Sequence, residues 1–186
     1  MKNKQFSVKS RQLNTFPGVL AAIILLVTII LPPLLEADET ERVYLLVRHA
    51  EKIRQGSDPE LSAAGQLRAK ELSGLLADAG IERIHSTDFI RTRDTVVPLA
   101  MRRGIEIELY DPSQPDELVR KLRQAGERQL IVGHSNTVPD LVQRLGGDGG
   151  PEIDEAQEYD RLYLLTVDRK GSVSTVLLRY GARFNP

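Results

Sequence analysis

The chain has 186 residues, of which 41% are apolar and 27% are charged, and its formal net charge at pH 7 is -1. This composition is typical of a globular protein, and the length suits one folded domain. The near-neutral charge excludes the overall basic field that marks nucleic-acid-binding proteins, so we expect no nucleic-acid partner. The absence of cysteine excludes thiol catalysis, disulfides and cysteine-based metal sites.

The N-terminal segment is basic and then strongly apolar. Residues 12–35 carry no charge; they follow four basic residues and precede an acidic stretch that begins at Glu36. The densest part, at 19–31, has the length of a signal-peptide core, whereas the whole uncharged stretch is long enough to cross a hydrocarbon layer of roughly 30 Å. We therefore assign residues 1–36 to a signal anchor or signal peptide, with membrane contact through residues 13–35.

The residues around position 35 bear on whether this segment is cleaved. Pro32 and Pro33 would end the helix, and Leu35 and Glu36 before Ala37 match the small-residue cleavage pattern poorly, which favours an uncleaved anchor. Basic residues before an apolar run keep the N-terminus in the cytoplasm. We therefore expect the domain to lie outside the cytoplasm, anchored to the membrane or, if the signal is cleaved, secreted.

From residue 41 onwards, strand-like and helix-like stretches alternate. The apolar run at 43–47 predicts a strand buried on both faces. Helix 62–79 would be capped by Ser62, stopped by Gly80 and buried along a leucine stripe made of Leu67, Leu72, Leu75 and Leu76. Further strands are predicted at 81–85, 105–109, 129–132, 161–167 and 174–180, and further helices at 88–103, 116–124 and up to residue 145. The alternation predicts an α/β domain over 41–186, a three-layer sandwich with a mainly parallel central sheet.

Four polar side chains follow three of the predicted strands. Arg48 and His49 come directly after the first strand, and His134 comes after the strand at 129–132. Arg91 lies in the first turns of the helix that follows the second strand. Because ligands in an open α/β sheet bind beyond the carboxyl ends of the strands, we expect these four side chains to share one pocket.

These residue types suit a phosphoryl group. The planar guanidinium groups of Arg48 and Arg91 can each pair with two phosphate oxygens. A neutral imidazole is a competent nucleophile near pH 7, and a second, protonated histidine, a role that suits His134, would donate to the equatorial oxygens in the transition state. The remaining histidine, His85, is expected to be structural or incidental.

Four motifs in this order resemble those of the histidine phosphatase superfamily, which includes phosphoglycerate mutase-like enzymes and bacterial phosphohistidine phosphatases. RHAEK at 48–52 resembles its RHG-type signature, and LSAAG at 61–65 resembles its L-S/T-x-x-G helix start. STDFIRTRDT at 86–95 and VGHSN at 132–136 resemble the motifs that carry its second arginine and second histidine. The resemblance spans about residues 42–180.

The resemblance implies a phosphoglycerate mutase-like fold and a site without metal or other cofactor. It implies that His49 is the nucleophile, transiently phosphorylated, and that Arg48, Arg91 and His134 form the phosphate pocket. The sequence departs from the family pattern at three positions outside these four: Ala50 replaces the usual glycine, as in RHA-type members, and Arg68 and Asp94 stand where glutamines are common. The domain lacks the long insertions of the mutases, so we expect an open pocket and a phosphatase rather than a mutase.

The general acid that protonates the leaving group is the least defined part of the site. Mutase-like members take a glutamate from a segment that has no clear equivalent here, and the candidates are Asp111, Glu51 and Glu108. Asp111 follows a strand but also suits a turn before Pro112, and Glu51 could equally cap or pair with Lys52. A good leaving group, such as that of a phosphoramidate or an anhydride, would need less help.

The sequence therefore predicts a metal-independent hydrolase of phosphomonoesters or phosphoramidates that acts through a phosphohistidine at His49. The expected substrate is a phosphorylated small molecule or, given export, an envelope sugar phosphate, as in heptose phosphatase-like relatives. The alternative is a catalytically inactive member that binds phosphorylated ligands or partners. A metal-dependent hydrolase is disfavoured because His49 and His134 are the only suitable imidazoles and no clustered carboxylates accompany them.

Overall fold

The computed structural model describes residues 41–125 and 128–185. Within them the elements follow as β1 (Arg42–Arg48), α1 (Ala63–Leu75), β2 (Arg83–Thr87), α2 (Ile90–Arg103), β3 (Ile107–Tyr110), α3 (Pro115–Ala125), β4 (Arg128–Gly133), α4 (Thr137–Arg144), β5 (Arg161–Val167) and β6 (Val173–Arg179). The predicted anchor at 1–36 lies outside the described residues. Among the helices that are described, none is long and apolar enough to cross a membrane.

The strands form one sheet in the order β3-β2-β4-β1-β5-β6. The pairings of β1 with β4, β2 with β4 and β2 with β3 are parallel, whereas β5 pairs antiparallel with β1 and with β6. The predicted mainly parallel α/β sheet is thus confirmed. Its parallel part places the carboxyl ends of β1, β2 and β4 side by side, at the edge where ligands bind in such sheets.

The two faces of the sheet carry separate hydrophobic clusters. Val43, Leu45 and Val47 of β1 pack with residues of α1 and α2, whereas Tyr44 and Leu46 pack with residues of α3 and α4. This alternation follows from the strand period of two, which sends successive side chains to opposite faces. Helices therefore cover both faces, and the predicted three layers are confirmed.

Helix α1 begins as predicted but buries a different stripe. The Ser62 hydroxyl accepts a hydrogen bond from the Gly65 backbone nitrogen at 3.2 Å, which is the expected N-cap. Leu72 is fully buried, but Leu67 and Leu75 are 61% and 54% exposed, so the prediction was wrong for these two leucines. The buried face of the helix starts at Gly65 and recurs every three or four residues. It includes Arg68, a charged residue that a prediction from hydrophobicity would place on the surface.

Gly65 allows the loop after β1 to pack against the start of α1. A Cβ atom at this position would lie 2.1 Å from the Glu51 carbonyl oxygen, a distance that no real Cβ contact tolerates. The same carbonyl accepts a hydrogen bond from the Ser62 nitrogen at 2.9 Å. The glycine of the L-S-x-x-G motif is therefore required by close backbone approach, and it fixes the path of the chain just after His49.

Strand β2 begins and ends two residues later than predicted, at 83–87 instead of 81–85. The shift places His85 in the middle of the strand, where it is fully buried and its Nε2 atom lies 2.9 Å from Oε1 of Gln129. His85 therefore has a structural role in the sheet, as expected, and lies away from the carboxyl ends of the strands.

Candidate active site

The register of β1 and β4 brings two histidines together. Arg48 of β1 is paired with Gly133 of β4, and the His49 nitrogen donates a hydrogen bond to the Gly133 carbonyl at 2.9 Å. The residue after each strand is a histidine, so His49 and His134 lie side by side with ring centroids 5.5 Å apart. Residues 85 positions apart in the chain thus meet because parallel strands end at the same edge of the sheet.

Arg91 reaches the same point from the other side of β4. Strand β2 pairs with β4, and α2 begins three residues after β2, which places Arg91 in the first helical turn. Its Nη2 atom lies 3.0 Å from Nε2 of His134, and its Cζ atom lies 4.4 Å from the centroid of the Phe89 ring. The structure thus brings together the four residues that the sequence grouped: Arg48, His49, Arg91 and His134.

The hydrogen bonding of His49 defines its tautomer. Its Nδ1 atom lies 2.7 Å from the Ala50 carbonyl oxygen, which can only accept, so Nδ1 carries the proton and Nε2 has a free lone pair. Burial, together with the nearby positive charge of Arg48, lowers the pKa of His49 to about 3, although the hydrogen bond to the Ala50 carbonyl raises it. His49 is therefore a neutral imidazole at pH 7 with Nε2 available for attack.

His134 is also neutral in the ligand-free site. Arginine only donates, so Nε2 of His134 accepts the hydrogen bond from Arg91. Burial, followed by the charges of Arg91 and Arg48, lowers the pKa of His134 to about 4. This differs from the expected protonated donor, because burial and the positive charges of Arg91 and Arg48 disfavour the imidazolium form. A phosphoryl dianion between them would oppose their effect and favour the protonated form.

Arg48 is held by the loop that precedes β5. It is only 1% exposed, and its two terminal nitrogens donate to the carbonyl oxygens of Asp154 at 3.0 Å, Glu158 at 2.9 Å and Glu155 at 2.6 Å. Its Cζ atom also lies 4.0 Å from the centroid of the Tyr159 ring. These three bonds use three of the five guanidinium hydrogens and leave the one on Nε and one on Nη2.

Both arginines retain a buried donor without a partner. The Nε atoms of Arg48 and Arg91 are enclosed, and neither makes a hydrogen bond within 41–125 and 128–185. An unpaired buried donor costs about 1–3 kcal/mol, so such groups are normally satisfied. Charged oxygens of a phosphoryl group are suitable partners, since guanidinium groups form strong, charge-assisted bonds with them.

The three carboxylates predicted as proton donors are engaged elsewhere. Glu51 forms a salt bridge with the buried Arg68 at 2.8 Å. Asp111 is exposed and accepts from the Ser113 hydroxyl at 2.7 Å, which lowers its pKa and favours its turn role. Hydrogen bonds from Arg83, with a further one from Lys121, hold the pKa of Glu108 at about 2, so this carboxyl is unsuited to proton donation. The structure brings none of the three into hydrogen-bond contact with the histidines.

Asp58 contributes to the site although the sequence did not single it out. Its carboxylate accepts from the Ile90 nitrogen at 3.1 Å, capping α2 from outside, and lies 3.4 Å from Nη1 of Arg91. Helix α2 has no side-chain cap of its own, so Asp58 both completes the helix start and orients Arg91. No local pattern in the loop at 53–60 could have revealed this long-range contact.

Two open depressions flank the histidine pair. One, of about 810 Å³, is lined by Ser135 and Asn136 and by four carboxylate residues, namely Asp140, Glu152, Asp154 and Glu155. The other, of about 550 Å³, is lined by Glu51, Lys52, Arg54 and Tyr159, and again by Glu155. Across the described ranges, no group of three or more histidine or carboxylate side chains is placed to hold a metal ion.

The fold and the site together define an α/β protein with two arginines and two histidines clustered at the carboxyl edge of its sheet. A family model described as "Histidine phosphatase superfamily (branch 1)" matches residues 44–112, a range that contains Arg48, His49 and Arg91. Over these residues the chain is similar to the histidine phosphatase superfamily. A search of curated proteins gave no match.

Solved structures with the same fold include proteins described as phosphatases. The protein histidine phosphatase SixA complexed with tungstate aligns with a TM-score of 0.59 and 15% identity, covering 74% of this chain and 96% of that one. A putative alpha-ribazole-5'-P phosphatase from Escherichia coli aligns at 0.60 and 13%, covering 74% and 96%. A mycobacterial glucosyl-3-phosphoglycerate phosphatase aligns at 0.57 and 16%, covering 76% and 100%. At these identities the likeness shows the shared fold.

The low histidine pKa values predict acid sensitivity. The unfolded chain protonates a histidine near pH 6.5, whereas folded His49 resists protonation down to about pH 3, so stability is lost as pH falls below 6.5. Between pH 7 and pH 5, His49 should reduce the free energy of unfolding by about 2 kcal/mol. Denaturant unfolding of wild type and His49→Gln at both pH values measures this change in the free energy of unfolding. If the free energy of unfolding falls equally in the two proteins, the contribution of His49 is contradicted.

Proposed function

We propose that the protein is a phosphatase that hydrolyses phosphomonoesters or phosphoramidates through a phosphohistidine at His49. The observation that carries the proposal is the tautomer of His49: the Ala50 carbonyl holds the proton on Nδ1, which leaves Nε2 with a free lone pair. Its low pKa keeps that lone pair free at neutral pH. The family match and the phosphatase neighbours support the same reaction class.

Arg48, Arg91 and His134 would bind the phosphoryl oxygens. The unpartnered Nε atoms of the two arginines supply donors, and Arg91 would exchange its bond to His134 for one to the anion. His134, protonated in the presence of the dianion, would then donate to an oxygen that gains charge in the transition state. This assignment uses the protein's own cations for charge neutralisation, so we expect turnover without a metal.

The substrate class follows from the openness of the site and from the predicted export. The depressions of about 810 and 550 Å³ leave room for a large group beside the transferred phosphoryl group. We propose a phosphorylated small molecule or an envelope sugar phosphate as the substrate. A screen of sugar phosphates and phosphorylated envelope components, read as kcat/KM relative to a generic aryl phosphate, tests this choice.

The basic test is hydrolysis of an aryl phosphate by the full chain with and without a chelator. We expect turnover that resists chelation, since the arginines and His134 supply the positive charge. Strong stimulation by a divalent ion would instead indicate metal-dependent chemistry. Retained binding of inorganic phosphate without any turnover would indicate the inactive, ligand-binding alternative.

A further inference from the structure

We propose that Glu155 is the general acid and base of this site, a role that no predicted residue fills. The inference rests on the proposed phosphatase function and adds the group that handles the proton. Glu155 lines both depressions: the larger one also includes Ser135, which follows His134, and the smaller one includes Tyr159, whose ring lies next to that of His49.

The position of Glu155 is fixed by the site itself. Its carbonyl oxygen accepts the 2.6 Å hydrogen bond from Arg48, and Arg48 stacks on Tyr159, whose ring centroid lies 6.0 Å from that of His49. The backbone of Glu155 is therefore hydrogen-bonded to Arg48, the residue that precedes His49. A proton donor needs such positioning, because it must come within hydrogen-bond reach of the leaving oxygen.

Its charge is also in range of the phosphoryl pocket. Burial lowers the pKa values of both Arg48 and Arg91, and Glu155 is the acidic residue that opposes this effect at both of them. Arg48 lies at the end of β1, and Arg91 lies in the first turn of α2. The Glu155 carboxylate is therefore within electrostatic range of both arginines.

The other carboxylates near the pocket are occupied. Asp58 caps α2 and pairs with Arg91. Asp154 accepts from the backbone nitrogens of Ala156 and Gln157 at 2.7 and 3.1 Å. Glu158 is buried and bound by Arg161 and Arg179.

The Glu155 side chain, by contrast, is exposed and makes no hydrogen bond or salt bridge with any other described residue. Its carboxyl group is therefore free to exchange a proton with a ligand. Glu152 is likewise exposed and unpaired and lines the larger depression, but it interacts with neither arginine, which makes it a matched control.

The proton balance is complete with this residue. In the first step, Nε2 of His49 forms a bond to phosphorus, the bond from phosphorus to the leaving oxygen breaks, and the Glu155 carboxyl gives its proton to that oxygen. In the second step, the Glu155 carboxylate takes a proton from water, the water oxygen bonds to phosphorus, and the bond to Nε2 breaks. Free phosphate leaves, and His49 and Glu155 return to their starting forms.

The test compares Glu155→Gln with Glu152→Gln on two substrates. For an alkyl phosphate, whose leaving group needs a proton, we expect Glu155→Gln to lower kcat/KM by about 10²-fold or more. For a dinitrophenyl phosphate, whose leaving group departs as an anion, kcat/KM should change by less than about 3-fold, because kcat/KM reports only the steps up to phosphorylation. Glu152→Gln should match wild type on both.

The second step gives an independent readout. Without a base for water, Glu155→Gln should release one equivalent of dinitrophenol in a burst and accumulate phosphorylated His49. An unchanged alkyl-to-aryl ratio and no burst, in a protein whose wild type hydrolyses both esters, would overturn the role of Glu155 alone. No turnover by wild type and no label on His49 would instead overturn the proposed function.

Discussion

Replacing His49 with asparagine is expected to lower kcat/KM for an aryl phosphate by a factor on the order of 10⁴ or more, since the variant has no nucleophile to form the covalent intermediate. Asparagine is the informative choice, because its side-chain amide can still donate to the Ala50 carbonyl as Nδ1 does now at 2.7 Å. Binding of inorganic phosphate should persist, since Arg48 and Arg91 remain.

The matching measurement is rapid acid-free quenching of a reaction with labelled aryl phosphate. Wild type should carry an acid-labile phosphoryl group on His49, and His49→Asn should carry none. His134→Asn, which retains the nucleophile, should still be labelled but more slowly. Label on His134 in place of His49, or turnover by His49→Asn at the wild-type rate, would overturn the assignment of the nucleophile.

Replacing Arg48 with methionine is expected to damage both stability and activity. The side chain is 1% exposed, and its loss would remove the hydrogen bonds to the carbonyls of Asp154, Glu155 and Glu158. A buried acceptor left unpaired costs about 1–3 kcal/mol, and water can reach part of this loop, so we expect a total loss of about 4 kcal/mol in the free energy of unfolding. Activity should fall about 10²-fold or more even where the variant is folded, because phosphate loses a cationic partner.

Arg42→Met provides the matched control. Arg42 begins the same strand and its hydrogen bond to the Arg123 carbonyl, at 3.0 Å, is exposed, so we expect a loss below about 1 kcal/mol and unchanged activity. Denaturant unfolding measures stability, and limited proteolysis measures opening of the loop at 151–160. If Arg48→Met is no less stable than Arg42→Met and its loop is cut no faster, Arg48 does not hold that loop.

The sequence allowed the fold class to be predicted because apolar periodicity is strong in this chain. Strand β5 was predicted at its observed bounds, and the two-sided burial of β1 followed from its uninterrupted apolar run. The stripe of α1 was predicted wrongly because the helix buries Gly65 and Arg68. Those positions are determined by contact with Glu51 and with the carbonyls of Tyr180 and Ala182, which no local pattern reports.

The grouping of Arg48, His49, Arg91 and His134 could also be predicted, because each follows a strand and parallel strands end at one edge. The proton donor could not. Asp111 and Glu51 were chosen for their places in the chain, whereas the free carboxylate, Glu155, is recognised only once the others are seen to be paired. Glu51 is paired with Arg68, which lies 17 positions away and which no local pattern links to it.

The sequence by itself determined the alternation of elements, the motifs that carry Arg48, His49, Arg91 and His134, and the apolar N-terminal segment, since these depend on local composition and spacing. The tertiary structure decided the tautomer of His49, the neutral state of His134 and the clamp of Arg48 on the loop at 154–158. These properties depend on burial and on which distant groups meet across the sheet. For that reason His49 could be proposed as the nucleophile from the sequence or from the structure, whereas Glu155 could be proposed as the general acid only from the structure.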